Sequence, residues 1–241
     1  MKIILGLSTG CFFKWKLDIY GKIKQVIESR ANGLEIAFFY PEDVFSFEVR
    51  RLDIKKILAF DYVSVHLPYL KVLFKNNDLI TQKIVKKCLG LKKVLGVKNF
   101  IIHPNVVKAY SSLSVLAPLY ENLGSPHKFG SSLEDLKQIK RMTNPQFLFD
   151  IAHLYKQKHN FSQLNQYLNL MKDKIGEIHF SGFKDKNEHS AIYNAENKEE
   201  ALSILKRLQN FPLISEGQLP PDNFFLKKEL REIKKSLDIK N

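Results

Sequence analysis

The sequence predicts an α/β barrel of eight strands, (β/α)8, folded as a single domain over residues 1–241. Three observations predict it. Eight apolar runs of strand length recur along the chain, segments of helical period separate most of them, and the length falls within the ~200–250 residues that such barrels use as one domain.

The strands are read at 3–7, 33–39, 62–66, 99–103, 117–121, 146–150, 177–180 and 213–216. Helical period covers 19–31, 49–59, 79–94, 133–142, 161–171 and 198–208, and a last helix at 223–237 closes the chain. In the first helix Ile19, Ile23, Val26 and Ile27 keep the i, i+4, i+7, i+8 spacing with Lys22, Lys24 and Glu28 opposite, which is the stripe of a helix lying on a sheet. The fourth crossover, 104–116, is near the minimum of about a dozen residues for a parallel connection, so its helix is expected to be short or irregular. The apolar start at 3–7 is shorter than the ~7–15 residues of a signal-peptide core and reads as the first strand. No run approaches the ~18–20 apolar residues that a bilayer demands.

Composition narrows the class. At 44% hydrophobic, with 11 Gly and 9 Pro, the chain is neither disordered nor collagen-like, and Cys11 and Cys88 are too few for a disulfide scaffold. A reducing compartment follows, taken as the cytoplasm, and a monomer is expected. A net charge of +13 favours a polyanionic partner such as nucleic acid, although lysines such as Lys83, Lys86, Lys87, Lys92 and Lys93 also suit a solvated helix face. Gly6-x-x-x-Gly10 lacks both the Walker lysine and the third glycine of a dinucleotide loop, and no Gly-x-Ser-x-Gly elbow is present. Cys88, mid-helix among lysines, reads as a buried structural thiol.

The polar residues fall where chemistry would be done. Five of the seven histidines, His66, His103, His153, His179 and His189, stand at or just after the C-terminal ends of strands, with Glu121, Asp150 and Glu216 in equivalent places. In a barrel those ends converge on one mouth. A carboxylate entering such an interior costs several kcal/mol unless it is paired or binds a cation, so the set asks for a metal. Mixed imidazole and carboxylate ligation suits zinc, with Mn or Fe as alternatives. Asp150 and His153, at i and i+3, can serve different ions, and a carboxylate can bridge two of them. His127 and His159 are expected on the surface.

Taken in order, His66-Leu-Pro-Tyr-Leu, Ile102-His-Pro, Tyr120-Glu-Asn-Leu-Gly, Phe149-Asp-Ile-Ala-His, Ile178-His-Phe-Ser, Glu188-His-Ser and Ser215-Glu-Gly resemble the motifs of endonuclease IV, the zinc-dependent abasic-site endonuclease within the xylose-isomerase-like barrel superfamily. The resemblance implies His66, His103 and Glu121 at a first zinc, Glu121, Asp150, His179 and Glu216 around a second, and His153 and His189 at a third. The family's acidic ligand to the third ion is Asn187 here, so two ions are implied outright and a third only if Asp185 or Glu188 substitutes. The resemblance further implies hydrolysis of DNA 5′ to an abasic site with Glu121 and Glu216 beside the attacking water, and insertion of Tyr69 and Leu70 into the base stack. Single-metal sugar isomerases and epimerases of the same superfamily would be satisfied by Glu121, Asp150, His179 and Glu216 alone, and Gly33-Leu-Glu-Ile looks like their second strand. A third expectation is a metal-binding barrel without turnover. His66 and His103 together favour the nuclease.

Overall fold

Strand formation follows from apolar runs that are buried on both faces, and the strands pair into a closed ring. They are β1 (Leu5–Ser8), β2 (Gly33–Ala37), β3 (Tyr62–His66), β4 (Asn99–Ile102), β5 (Leu119–Glu121), β6 (Gln146–Asp150) and β7 (Ile175–Phe180), then a hairpin of β8 (Gly182–Lys184) and β9 (Asn187–Ser190), and last β10 (Leu213–Ser215). Barrel neighbours are parallel, and β1 closes the ring on β10 with Leu5 opposite Leu213 and Leu7 opposite Ser215. This computed structural model describes residues 2–124, 128–158, 160–185 and 187–239. His127 and His159 lie outside them, as does the side chain of Glu188.

The helices are α1 (Ile19–Ser29), α2 (Pro41–Ser46), α3 (Ile54–Leu58), α4 (Leu79–Leu95), α5 (Leu133–Thr143), α6 (Ile151–Lys158), α7 (Leu164–Met171), α8 (Lys198–Leu208) and α9 (Asn223–Ser236). Local chemistry sets their ends. Asp18 accepts from the Gly21 amide at the start of α1, Asp78 from the Thr81 amide at the start of α4, and Gly96 ends α4 at φ 66°. Ile84, Cys88, Leu91 and Leu95 of α4 face the sheet, with Cys88 buried as expected. None of the helices among the described residues is long and apolar enough to cross a membrane.

The helix at 49–59, helix α2, the hairpin β8–β9 and helix α6 depart from the pattern read in the sequence, whereas the fourth crossover is irregular as expected. The helix expected at 49–59 is broken, because Asp53 caps a fresh start at α3, and α2 precedes it where Asp43 accepts from the Phe39 and Tyr40 amides. The fourth crossover holds only 3-10 turns, Pro104–Val106 and Tyr110–Leu116, as its length demands. The hairpin β8–β9 and helix α6 are additions at the mouth.

Alternation along the strands sorts their side chains. Leu34, Ile36, Val63 and Val65 point outward into the main core under the helices. Inside the ring, Ile101, Leu119 and Leu148 form a separate apolar wedge. Around Ile214, other inward residues are polar: Ser8, Glu35, Ser64, Glu177 and His179 are all fully buried.

Candidate functional site

The mouth of the barrel is a cavity of about 260 Å³ walled by Gly10, Phe13, Phe39, His66, Tyr69 and His103, with Glu121, His153, His189 and Glu216 among its polar lining. Each polar residue is placed by the strand that ends beneath it. His66 is the last residue of β3 and Glu121 of β5; His103 follows β4, and Glu216 follows β10. Asp150 ends β6 opposite His179 on β7.

Glu121 is the hub. Its Oε2 lies 3.1 Å from His66 Nε2 and 3.1 Å from His103 Nε2, and its Oε1 lies 3.2 Å from His153 Nδ1. Burial disfavours its charge, yet these imidazoles hold the carboxyl well below its usual range. Burial likewise opposes the His66 cation, but its hydrogen bond to Glu121 raises it to about 9. His103, on the same carboxylate oxygen, is lowered by burial and feels the neighbouring His66 charge, so one proton serves the pair. That proton occupies the place of a cation. His66 Nδ1 donates to the Leu67 carbonyl at 2.9 Å, which directs Nε2 at Glu121.

The opposite wall is built from Asp150, His179 and Glu216. Asp150 Oδ1 accepts from the His153 amide at 2.8 Å, the bond an N-cap makes, so one side chain both starts α6 and faces the mouth. Asn122 clamps its backbone in both directions, at 2.8 and 2.9 Å. Burial pushes Asp150 up to about 7, whereas the His179 charge overcomes burial at Glu216 and holds it at about 2.

Two side-chain groupings can hold a divalent ion at the mouth: His66, His103 and Glu121, and Glu121, Asp150, His179 and Glu216, each with ligand atoms within 4.8 Å of one another. Glu121 belongs to both. The second grouping contains buried His179 Nδ1 and Asp150 Oδ2, two atoms with no hydrogen-bond partner in an otherwise satisfied site. An ion between them would complete both atoms, and the donor set suits zinc. His153 and His189 meet with ring centroids 5.8 Å apart, but no ion-competent grouping among the described residues includes either. Asn187 there accepts from the His189 amide and from Gln218, and Asp185 is exposed at the hairpin turn.

One layer deeper lies a set of residues that the sequence reading passed over. His179 Nε2 is 2.9 Å from Glu35 Oε2 and 3.3 Å from Glu177 Oε1. Ser8 donates to Glu35 at 2.7 Å, and Tyr62 and Ser64 donate to Glu177 at 2.6 and 3.0 Å. Every carboxylate oxygen of this layer is thus satisfied. The His179 Nε2 proton is fixed toward Glu35, which aims Nδ1 at the mouth, 3.4 Å from Glu216, where a bound ion would replace the proton that Nδ1 carries in the ion-free protein. The signal was available: Glu35 and Glu177 are charges in mid-strand at the parity of Ala37 and His179.

Tyr69 is packed within the mouth, stacked on His103 with centroids 4.1 Å apart and edge-on to His66 and Phe39. Leu70 stands exposed on the rim, its amide held by the Phe39 carbonyl at 2.9 Å.

The chain matches no family model and no curated protein. It is similar in fold to a D-tagatose 3-epimerase-like protein (TM-score 0.67, 16% identity, 98% of each chain) and to an AP endonuclease, family 2 from Brucella melitensis (TM-score 0.66, 12% identity, 95% of this chain and 99% of that one). A D-psicose 3-epimerase crystallised in the presence of D-fructose is equally similar (TM-score 0.66, 10% identity, 98% and 99%). At these identities the likeness is one of architecture, that of a closed eight-stranded TIM barrel.

Proposed function

We infer that the protein is a metal-dependent phosphodiester hydrolase that cleaves DNA 5′ to abasic sites. The observation that carries this reading is the sharing of Glu121 between two ion-competent groupings. A single-ion isomerase needs only Glu121, Asp150, His179 and Glu216; His66 and His103 add a second place for a cation beside the first. A pair of divalent ions, zinc from the donor set, would supply Lewis acidity at phosphate, lower the pKa of water and take the charge of the 3′ oxygen released as its bond to phosphorus breaks. The chain's own residues do the rest. Glu121 is held ionised by imidazoles on both oxygens. Glu216, ionised and partly open to the mouth, is placed to take a proton from water attacking phosphorus. Tyr69 and Phe39 narrow the opening, and its volume lies just below the ~300–1,000 Å³ of drug-sized pockets, which favours one sugar with its phosphate over a base pair. Leu70 on the rim is placed to enter the stack.

The experiment is incision of a duplex with one abasic site by zinc-loaded protein, beside an intact duplex and a Glu216→Gln control. Incision confined to the abasic duplex and lost in the control supports the reading. Absence of incision with two ions bound refutes it. A second reading, a sugar isomerase or epimerase using Glu121 and Glu216 as acid and base, is favoured by the aromatic walls Phe13, Phe39 and Tyr69, which suit the C–H faces of a sugar. Metal-dependent exchange of aldoses or ketoses would support it.

A further inference from the structure

Five aromatic rings stand strongly exposed among the described residues: Phe13, Trp15, Tyr40, Phe45 and Phe224. Three of them, Phe13, Trp15 and Tyr40, at 45%, 42% and 38% exposure, belong to the loops that follow β1 and β2, neighbouring strands on one side of the mouth. Phe13 also lines the mouth itself. Solvation does not favour three open rings, and their placement on the loops of two neighbouring strands marks a contact surface.

The rings are held in place. Backbone bonds from Phe13 to Gly10, Trp15 to Phe12 and Leu17 to Trp15 coil the first loop tightly. The Trp15 indole donates to the Leu219 carbonyl at 2.7 Å, tying that loop to the one after β10. Tyr40 stands at the capped start of α2. Such a surface loses little freedom on binding.

Lysines accompany the rings. Lys14 lies 5.7 Å from the Phe13 ring centroid, Lys71 lies 5.6 Å from that of Tyr40, and Lys22 lies 5.6 Å from that of Phe39 just inside. Lys16 continues the alternation Phe13-Lys14-Trp15-Lys16. Among the described residues Lys14, Lys16 and Lys71 are exposed and make no salt bridge, so their charge is available to a ligand, whereas Lys22 is half-buried beside Asp43. Flat faces alternating with unpaired cations complement a chain that alternates bases with phosphates. An uncharged sugar would leave the lysines unused.

We propose that this rim is a stacking platform for unpaired nucleobases, so that the strand entering the mouth is held single-stranded on the side of β1 and β2. The proposal rests on the nucleic-acid reading of the mouth and adds that the strand beside it is read through its base faces, with phosphates on Lys14, Lys16 and Lys71.

Trp15 is the only tryptophan of the chain, so its emission reports on the platform directly. The full-length protein is titrated in a chelating buffer, without turnover, with a twelve-nucleotide oligothymidylate and with an abasic oligomer of equal length and charge. The oligothymidylate is expected to quench Trp15 and to bind at least about tenfold more tightly than the abasic oligomer, since stacking of even one base has that order of effect. Tyr40→Ala, at an exposed ring outside the mouth lining, should weaken oligothymidylate binding roughly fivefold or more and leave the abasic oligomer unchanged. Equal affinity for the two oligomers would overturn the proposal. So would quenching by phosphatidylserine vesicles but not by oligothymidylate, which would make the rim a lipid contact. Base-dependent binding without incision of abasic DNA would keep the platform and refute the hydrolase, and incision without base-dependent binding would do the reverse.

Discussion

Replacing Glu35 by Gln tests the buried layer beneath the mouth. The amide fits the same space: its oxygen can accept from His179 Nε2, now 2.9 Å from Glu35 Oε2, and its nitrogen can donate to Ser8, now 2.7 Å from Oε1. What disappears is the charge. A hydrogen bond to a charged group contributes ~1.5–3 kcal/mol and a neutral one ~0.5–1.5 kcal/mol, so His179 loses about 1–1.5 kcal/mol of support for its role as a ligand. That corresponds to about tenfold weaker binding, at the low end of the ~10–100-fold seen for outer-shell partners of metal-bound histidines. The ion-free protein should respond less, because the Glu35 charge there supports the His179 cation but repels Glu177, and the two effects oppose. Glu177 is raised first by burial and also by the Glu35 charge, so removing one of two carboxylates around one imidazole relieves repulsion. The assay pairs zinc affinity by chelator competition with thermal unfolding in excess chelator. The expected result is weaker zinc binding with an ion-free melting temperature close to that of wild type. Unchanged affinity, or equal losses in both measurements, would refute the assignment of Glu35 as the group that orients His179.

Three further outcomes are expected. Because His66 is pushed up to about 9, an ion can take its Nε2 only as a proton leaves; zinc affinity should therefore weaken as pH falls below about 9, and the binding enthalpy at pH 7.5 should differ between phosphate and Tris buffers in proportion to their ionisation heats. Glu229 of α9 accepts from the Ile192 and Tyr193 amides, and burial pushes it up from 4.5 to about 7. The native state holds the extra proton across that window, so this group's stability contribution is complete below about pH 4.5 and lost as pH rises to about 7. The loss is about 3 kcal/mol, read as a urea-midpoint difference from Glu229→Gln that changes with pH; a constant difference would contradict it. Gly130, at φ 102°, brings its backbone against Pro104, and its carbonyl accepts from the Leu123 amide. Gly130→Ala should destabilise by about 1–3 kcal/mol in chemical denaturation, and a neutral substitution would show that this loop is free to shift.

Much of the molecule was legible because two simple periods carry it. The runs at 62–66 and 146–150 are strands with those bounds, and the ligand-type residues at their ends were found because a polar side chain after an apolar strand has nowhere to go but the mouth. The second layer was harder to see. Glu35 and Glu177 sit inside their strands, where a carboxylate normally argues against burial, and only Ser8, Tyr62, Ser64 and His179 from other strands make them tolerable. Helix α6 was hidden for a different reason: its capping residue, Asp150, is also the end of β6 and a member of the ion-competent grouping, so three signals overlap at one position. The break after Leu52 was legible in principle, since Asp53 has the chemistry of a cap, but the apolar spacing of 49–59 continues across it. Tyr69, expected at the DNA stack, packs on His103 because the Phe39 carbonyl accepts from the Tyr69 and Leu70 amides and holds the segment after β3 over the mouth.

The truncated fourth crossover bears on how the barrel holds together. With only 3-10 turns outside them, β4 and β5 form the thinnest stretch of the wall, and β5 is a mere three residues long. Yet the residue that ends β5 is Glu121, around which ligands from β3, β6, β7 and the loops after β4 and β10 gather. Cations gripped there would act as a hoop drawn round a cask at its weakest stave, fastening that stave to five others at once. Loading should accordingly slow amide deuterium exchange more in 119–121 than in well-buttressed β2, so that occupancy and wall integrity rise together.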